Sequence, residues 1–188
     1  ATKRHLSPLP TTHTIDQPTV QPSVVQSGLL ACQRGQVAAV TMAGGQGTRL
    51  GSSAPKGCYL LDVPQVGSVS LFELQAKRLL SLARDNDKST VCPWLVMTSP
   101  QTDKATRLFF TENKYFGYPP ERVFFFQQGT LPAVDEDGVP ILFEDGEMIM
   151  APDGNGGIFR ALHTHGLLDN QHQILGLVQY LHIFSVDN

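Results

Sequence analysis

The fold is decided by residues 37–51, which read VAAVTMAGGQGTRLG. The apolar run Val37–Met42 ends at glycines, which is typical of a strand buried on both faces. Glycines at such a corner let the backbone turn sharply and bring its N–H groups close to an anion. A helical turn after the loop would add a favourable field for phosphate. Arg49 and Lys56 add two cations nearby, so the stretch predicts a phosphate-binding corner.

Two common glycine motifs do not fit this loop. A Walker loop needs Lys and then Ser or Thr after its last glycine, whereas Gly47 is followed by Thr48 and Arg49. The dinucleotide fingerprint is out of register, because Gly45 and Gly47 are followed by Gly51 one residue too late. On the loop alone, an ordinary glycine-rich turn with an incidental surface arginine remains an equal alternative.

The rest of the chain alternates between strand and helix patterns. Because strands that alternate with helices imply crossover units, we predict an α/β fold with a mostly parallel sheet and helices on both faces. Residues 1–36, with Pro18 and Pro22, are predicted to be an irregular lead-in. The predicted strands are Val37–Met42, Trp94–Met97, Val123–Phe126 and Leu181–Val186, and the predicted helices are Leu71–Ala83, Thr102–Asn113 and Ile158–Leu162.

Two finer predictions concern a helix face and a hairpin. The helix Thr102–Asn113 is expected to turn Ala105, Leu108 and Phe109 inward, with Gly117 beyond its end. The pairs Asp137-Gly138 and Asp145-Gly146 mark tight turns, so short antiparallel strands should surround them as an insertion at the sheet edge.

Composition excludes several classes of protein. The formal net charge of −3 over 188 residues gives no reason to expect a nucleic acid or a membrane surface as partner. No apolar run approaches the roughly 20 residues of a membrane span, and residues 1–10 lack the apolar centre of a signal peptide. Three widely spaced cysteines suit free thiols in a reducing compartment, so a cytoplasmic location is expected. The oligomeric state stays open.

The loop resembles a family signature once the residues after it are included. Gly44-Gly45-Gln46-Gly47-Thr48-Arg49-Leu50-Gly51, followed by Pro55-Lys56, is similar to the signature of eukaryotic-type UDP-N-acetylglucosamine pyrophosphorylases. The resemblance implies a Rossmann-like nucleotidyltransferase domain over residues 37–188, with Arg49 and Lys56 as the catalytic cations. It also implies nucleotide contacts from Ala43, Gly44, Gly45, Gly47 and Thr48.

A second match follows the third predicted strand. Phe125-Phe126-Gln127-Gln128-Gly129 is similar to the family's base-reading run, in which the second Gln recognises uracil. A carboxamide can pair with both a donor and an acceptor on a base edge, although a Gln at a strand end is more often only a polar terminus. Thr130 stands where the family usually has Met. The resemblance assigns uracil recognition to Gln128.

The last matches are a second glycine loop and the end of the chain. Ala151-Pro152-Asp153-Gly154-Asn155-Gly156-Gly157 is similar to the family's second signature, which implies that Gly154 lies against uracil and Asn155 binds the sugar. Alone, this stretch would fit any surface turn. Asp187, in Val186-Asp187-Asn188, is the implied metal ligand for Mg²⁺, with Mn²⁺ as an alternative ion, although a lone Asp more often caps a turn.

The expected activity is transfer of a uridylyl group from UTP to N-acetylglucosamine 1-phosphate. Family members continue beyond Val186-Asp187-Asn188 into segments that read the N-acetyl group, so this chain alone is expected to bind nucleotide weakly. The alternatives are a pyrophosphorylase for another sugar 1-phosphate, a catalytically inactive nucleotide-binding module, and a scaffold that keeps only the fold.

Overall fold

The computed structural model describes residues 22–46, 54–64, 67–83, 87, 90–168 and 174–187. Strands and helices alternate along these residues, as the sequence predicts. The helices are α1 (Pro22–Gln33), α2 (Leu71–Leu80), α3 (Asp103–Glu112) and α4 (Gly157–Thr164). The strands are β1 (Val37–Met42), β2 (Leu60–Val63), β3 (Gly67–Ser70), β4 (Trp94–Thr98), β5 (Val123–Gln127), β6 (Thr130–Pro132), β7 (Met150–Pro152) and β8 (Tyr180–Ser185).

The central sheet has four parallel strands in the order β5-β4-β1-β8. The strand β1 lies between two parallel neighbours, with Val40 opposite Leu95 on β4 and opposite Ile183 on β8. Because all four strands run the same way, their carboxyl ends meet at one edge, where ligands bind in open α/β sheets. The predicted fold class is confirmed.

Apolar side chains of β1 alternate between two cores, one on each face of the sheet. Ala39 belongs to the core that packs against α2 and α3, whereas Ala38 and Val40 belong to the core that packs against α4. Successive side chains of a strand point to opposite faces of the sheet, so a strand that is buried on both faces needs apolar residues at consecutive positions. Helices therefore cover both faces, as predicted.

The α2 helix begins at a capped residue. The Ser70 hydroxyl accepts a hydrogen bond from the backbone N–H of Glu73 at 3.1 Å, which satisfies one of the free donors of the first turn. Glu73 also pairs with Lys77 one turn later, at 2.7 Å. The hairpin of β2 and β3, which carries the chain into this cap, was not predicted from the sequence.

The prediction of an irregular lead-in is wrong for residues 22–33. These residues form α1, and Pro22 occupies its first position, where the missing N–H leaves no hydrogen bond unmade and the fixed φ suits a helix. The helix buries none of its residues fully. Gly35, at a φ of +70°, then turns the chain into β1.

The predicted inner face of α3 is off by one residue. Ala105 is exposed and Leu108 is 55% exposed, while Thr106 and Phe110 are fully buried and Phe109 is partly buried. The prediction counted apolar residues and so missed a threonine in the core. The face is fixed by Phe110, whose ring contacts the rings of four aromatic residues of the core besides Phe116: Phe72, Trp94, Tyr115 and Phe125.

The hairpin insertion follows the edge strand β5, as predicted. Its strands β6 and β7 are antiparallel. Beyond them, isolated antiparallel bridges pair Val134 with Pro140 and Leu142 with Met148. Gly138 and Gly146 adopt φ values of +82° and +86° at the two tight turns.

Cys32, Cys58 and Cys92 carry free thiols, as expected. Burial raises the pKa of the Cys58 thiol to about 11, so this thiol stays protonated and unreactive near neutral pH. Among the described residues, no helix combines the length and the apolar character that crossing a membrane requires.

We expect Phe110→Ala to lower the free energy of unfolding by about 3–5 kcal/mol, because it removes a fully buried ring and leaves a cavity. Leu108→Ala, on the exposed side of the same helix, should change it by less than about 0.5 kcal/mol. Urea unfolding of both variants measures the difference. A larger loss for Leu108→Ala would show that α3 is turned the other way.

Candidate active site

The loops that follow the parallel strands are joined by backbone hydrogen bonds at the carboxyl edge of the sheet. These bonds continue the strand pairing by one residue, so the loops start from fixed positions. They run from Ala43 N to Met97 O at 2.8 Å, from Gln128 N to Thr98 O at 2.9 Å, and from Val186 N to Met42 O at 3.2 Å.

An ion pair links the glycine loop to the end of β8. The Lys56 backbone N–H donates to Gly45 O at 3.1 Å, which ties the start of a short 3₁₀ turn to the loop. The Lys56 Nζ atom lies 2.5 Å from Asp187 Oδ2. The predicted catalytic cation and the predicted metal ligand are therefore in direct contact, although 131 residues separate them.

Ser185 holds the other oxygen of Asp187. Its hydroxyl donates to Asp187 Oδ1 at 2.5 Å. The hydrogen bond from Lys56, and then that from Ser185, lower the pKa of the Asp187 carboxyl to about 2. The carboxylate is thus fully ionised at neutral pH. Sequence reasoning missed Ser185, and the available signal was its position two residues before Asp187 at the end of a strand.

The predicted uracil-reading residue lies against the glycine loop. A Cβ atom added to Gly44 would stand 2.7 Å from the Nε2 atom of Gln128, which is closer than two such atoms can approach. Any residue with a Cβ at position 44 would therefore force the carboxamide to move. The structure therefore brings Gln128 and Gly44 together from different strands.

The second glycine loop is tied to the residue after Gln128. The Asp153 backbone N–H donates to Gly129 O at 3.1 Å, next to the paired strands β6 and β7. Gly154 follows at a φ of +75°, a conformation that favours glycine, and Asn155 is exposed. The predicted nucleotide and sugar contacts at these two positions stay predictions.

The first glycine loop is only partly described. Ala43 is buried beside β4, and Gly44 and Gly45 precede the undescribed stretch 47–53. Gly47, Thr48 and Arg49 lie outside the described residues, so their assigned roles stay predictions.

The chemistry of Asp187 fits Mg²⁺. Among residues that the structure describes, no group of three or more His, Cys, Asp or Glu side chains could enclose a metal ion. Mg²⁺ in phosphate-transfer sites is usually held by one or two carboxylates together with substrate phosphates. A single ionised carboxylate beside a glycine loop matches that requirement.

Comparison with known proteins shows the family to which the chain belongs. The family model described as UTP–glucose-1-phosphate uridylyltransferase matches residues 2–188. The chain belongs to this family.

Several members of the family resemble the chain over most of its length. A UDP-N-acetylglucosamine pyrophosphorylase of Saccharomyces cerevisiae is 44% identical over 163 residues, which are 86% of this chain and 33% of the relative. A UDP-N-acetylglucosamine diphosphorylase 1 of Arabidopsis thaliana is 41% identical over 169 residues, again 86% and 33%. The chain spans about a third of the length of the curated relatives it matches.

A solved structure shows the same fold. The uridine diphosphate N-acetylglucosamine pyrophosphorylase from Trypanosoma brucei, crystallised with an inhibitor, superposes with a TM-score of 0.69 at 34% identity. The match covers 86% of this chain and 34% of that one. The predicted resemblance to UDP-N-acetylglucosamine pyrophosphorylases is confirmed.

We expect the pKa of Asp187 to rise toward its ordinary value of 3.8 in Lys56→Met, because the main group that stabilises the carboxylate is removed. In the native protein the folded-state pKa lies below the unfolded one. The stabilisation from Asp187 should therefore be complete above about pH 4 and disappear as the pH falls toward 2.

Carboxyl NMR titration of the metal-free protein measures this pKa, with Lys104→Met on the exposed face of α3 as a matched control. An Asp187 pKa that stays unchanged in Lys56→Met would contradict the ion pair.

We also expect Gly44→Ala to weaken UTP binding by on the order of tenfold, because the new methyl group displaces the Gln128 carboxamide, which is predicted to hydrogen-bond uracil. Gly28→Ala is the matched control, since a Cβ there meets nothing within 4 Å. Calorimetric titration with UTP measures both. Equal UTP affinities for the two variants would show that Gln128 does not bind the nucleotide.

Proposed function

We propose that the protein takes part in forming UDP-N-acetylglucosamine and pyrophosphate from UTP and N-acetylglucosamine 1-phosphate. Family membership supports a uridylyltransferase, and the names of relatives at 41–44% identity support this sugar. The free thiols also fit the expected cytoplasmic location.

The main support for the proposal is the contact between Lys56 and Asp187 next to the glycine loop. A cation for phosphate oxygens and an acid for a metal ion lie side by side, and the Gln128 carboxamide lies against Gly44 of the same loop. A nucleoside triphosphate needs an amide that reads the base and charged groups that neutralise its phosphates. This edge of the sheet offers both.

The proposed reaction is an in-line displacement at phosphorus. A phosphate oxygen of the sugar 1-phosphate attacks the α-phosphorus of UTP and forms a new P–O bond. The bond from that phosphorus to the bridging oxygen of the β-phosphate breaks, and pyrophosphate leaves with the electron pair. The attacking oxygen is already an anion, so the protein has no proton to remove and works by positioning and charge neutralisation.

Each charged residue has a separate task in this reaction. Lys56, and Arg49 by the family resemblance, would neutralise the charge that develops on the departing pyrophosphate. Asp187 would hold Mg²⁺, which when bound stabilises charge on the phosphate oxygens. The Lys56–Asp187 pair keeps both groups in place before substrate arrives. Because each is partly exposed, at 34% and 42% of its side-chain area, ligands can replace their contact at modest cost.

A second sugar 1-phosphate is the competing candidate. The family model is described by glucose 1-phosphate rather than by the N-acetylated sugar. The residues assigned above are proposed to bind the nucleotide, the phosphates and, at Asn155, the sugar; none is assigned to the N-acetyl group, so these assignments do not separate the two substrates.

A pyrophosphate-release assay on the complete polypeptide tests the function, with UTP, Mg²⁺ and a panel of sugar 1-phosphates. We expect turnover with N-acetylglucosamine 1-phosphate in preference to the glucose and galactosamine forms. No release, but a UTP-dependent rise in unfolding free energy of about 2.7 kcal/mol at 100 times the Kd, would instead indicate an inactive binding module. The absence of both effects would indicate a scaffold.

Arg49→Ala and Lys56→Ala should each lower kcat by on the order of 10²–10³, by analogy with the loss of one charge-stabilising donor from an enzyme site. Lys104→Ala, which removes an exposed cation from α3, should leave kcat unchanged. Steady-state kinetics measure all three. Near-normal turnover by Arg49→Ala would show that its assignment is wrong.

A further inference from the structure

The carboxylate of Asp153 lies wedged between two glycines from different loops. A Cβ atom added to Gly129 would stand 2.5 Å from Asp153 Oδ2, and one added to Gly157 would stand 2.0 Å from Asp153 Oδ1. Real Cβ atoms do not make contacts this short. Glycine at both positions is therefore what leaves room for this side chain.

The same residue also joins the two loops through its backbone. Its N–H donates to Gly129 O at 3.1 Å, directly after the pairing of Thr130 on β6 with Pro152 on β7. Gly129 follows Gln128, and Asp153 precedes Gly154. The distance between the proposed base-reading amide and the proposed uracil-contacting glycine thus depends on Asp153.

One oxygen of this carboxylate is buried without a partner. Among the described residues, Asp153 Oδ1 accepts no hydrogen bond, and it exposes less than 1 Å² to solvent. An unpaired buried oxygen of this kind lowers stability. The start of α4 at Gly157 offsets part of that cost through the partial positive charge of a helix N-terminus.

We propose that Asp153 is a positioning residue that sets uracil selectivity by holding the Gln128 loop and the Gly154 loop at a fixed separation. This inference rests on the proposed function. Uracil and cytosine differ in their donors and acceptors at N3 and C4, so discrimination requires the amide of Gln128 and the backbone at Gly154 to meet the base together. A change in their separation weakens UTP recognition more than it weakens the chemical step.

A purely structural role for Asp153 makes a different prediction. If the carboxylate only stabilised the start of α4, its loss would lower the unfolding temperature and leave the choice between UTP and CTP unchanged. Asn has nearly the same shape as Asp, so Asp153→Asn keeps the side chain between Gly129 and Gly157 and removes only its negative charge.

The test compares Asp153→Ala, Asp153→Asn and the control Asp145→Ala in the complete polypeptide. Asp145 is an exposed carboxylate at a hairpin turn, where its Oδ1 accepts from Glu147 N at 3.1 Å. The readouts are kcat and KM for UTP, the ratio of kcat/KM for UTP over CTP, and the unfolding midpoint. Wild-type turnover with UTP is measured first, because its absence would refute the proposed function rather than this inference.

We expect Asp153→Ala to raise the KM for UTP and to lower the UTP/CTP ratio, each by about tenfold, with kcat changed by less than about threefold. For Asp153→Asn, the KM for UTP and the UTP/CTP ratio should stay within about threefold of wild type. Asp145→Ala should have the wild-type values. A UTP/CTP ratio that is unchanged in Asp153→Ala would overturn the proposal, whatever the unfolding midpoint does.

A reciprocal pair of variants keeps the test valid if Asp153→Ala folds poorly. Gly129→Ala pushes a methyl group into Asp153 Oδ2, so it should lower the UTP/CTP ratio by itself. Adding Asp153→Ala to it removes the clash, so the ratio in the double variant should fall by less than the product of the two single losses. Strictly additive losses in this double-mutant cycle would also overturn the proposal.

Discussion

The parallel pairing of β1 with strands on both sides is the constraint on which the rest of the structure depends. It brings four carboxyl ends to one edge of the sheet, and hydrogen bonds such as Ala43 N to Met97 O carry the alignment into the loops. A shift of one residue in this register would turn every β1 side chain to the opposite core. The same shift would separate the glycine loop from the end of β8. Fold and site are therefore fixed by a single set of backbone hydrogen bonds.

Within that frame, glycines decide how closely the loops approach one another. Gly44 admits the Gln128 carboxamide, and Gly129 and Gly157 admit the Asp153 carboxylate. Each contact joins residues from different loops, so the glycines act as contact surfaces between segments. In these places the absence of a side chain matters more than a permissive φ, since Gly154 alone, among the glycines that the structure describes at this edge, adopts the left-handed region.

The sequence predicted the elements whose signal is local. The strand β1 was predicted to the residue, because a buried apolar run ended by glycines has few other conformations. The inner face of α3 was wrong because it includes Thr106, a buried polar residue, and Phe110, whose ring joins an aromatic cluster from distant segments. The α1 helix was missed because a proline breaks a helix when it lies in the interior but is favourable at the first position, which is where Pro22 lies.

The contact between Lys56 and Asp187 could not come from spacing, since 131 residues separate the two, and only the resemblance placed both at one site. Whether this contact marks the nucleotide and metal site is tested most directly by NMR of the protein with UTP and paramagnetic Mn²⁺, with Mg²⁺ as the diamagnetic reference. We expect the strongest line broadening at the amides of Asp187, Lys56 and Gly45. Broadening centred elsewhere, with the Asp187 amide unaffected, would contradict a nucleotide and metal site at this edge.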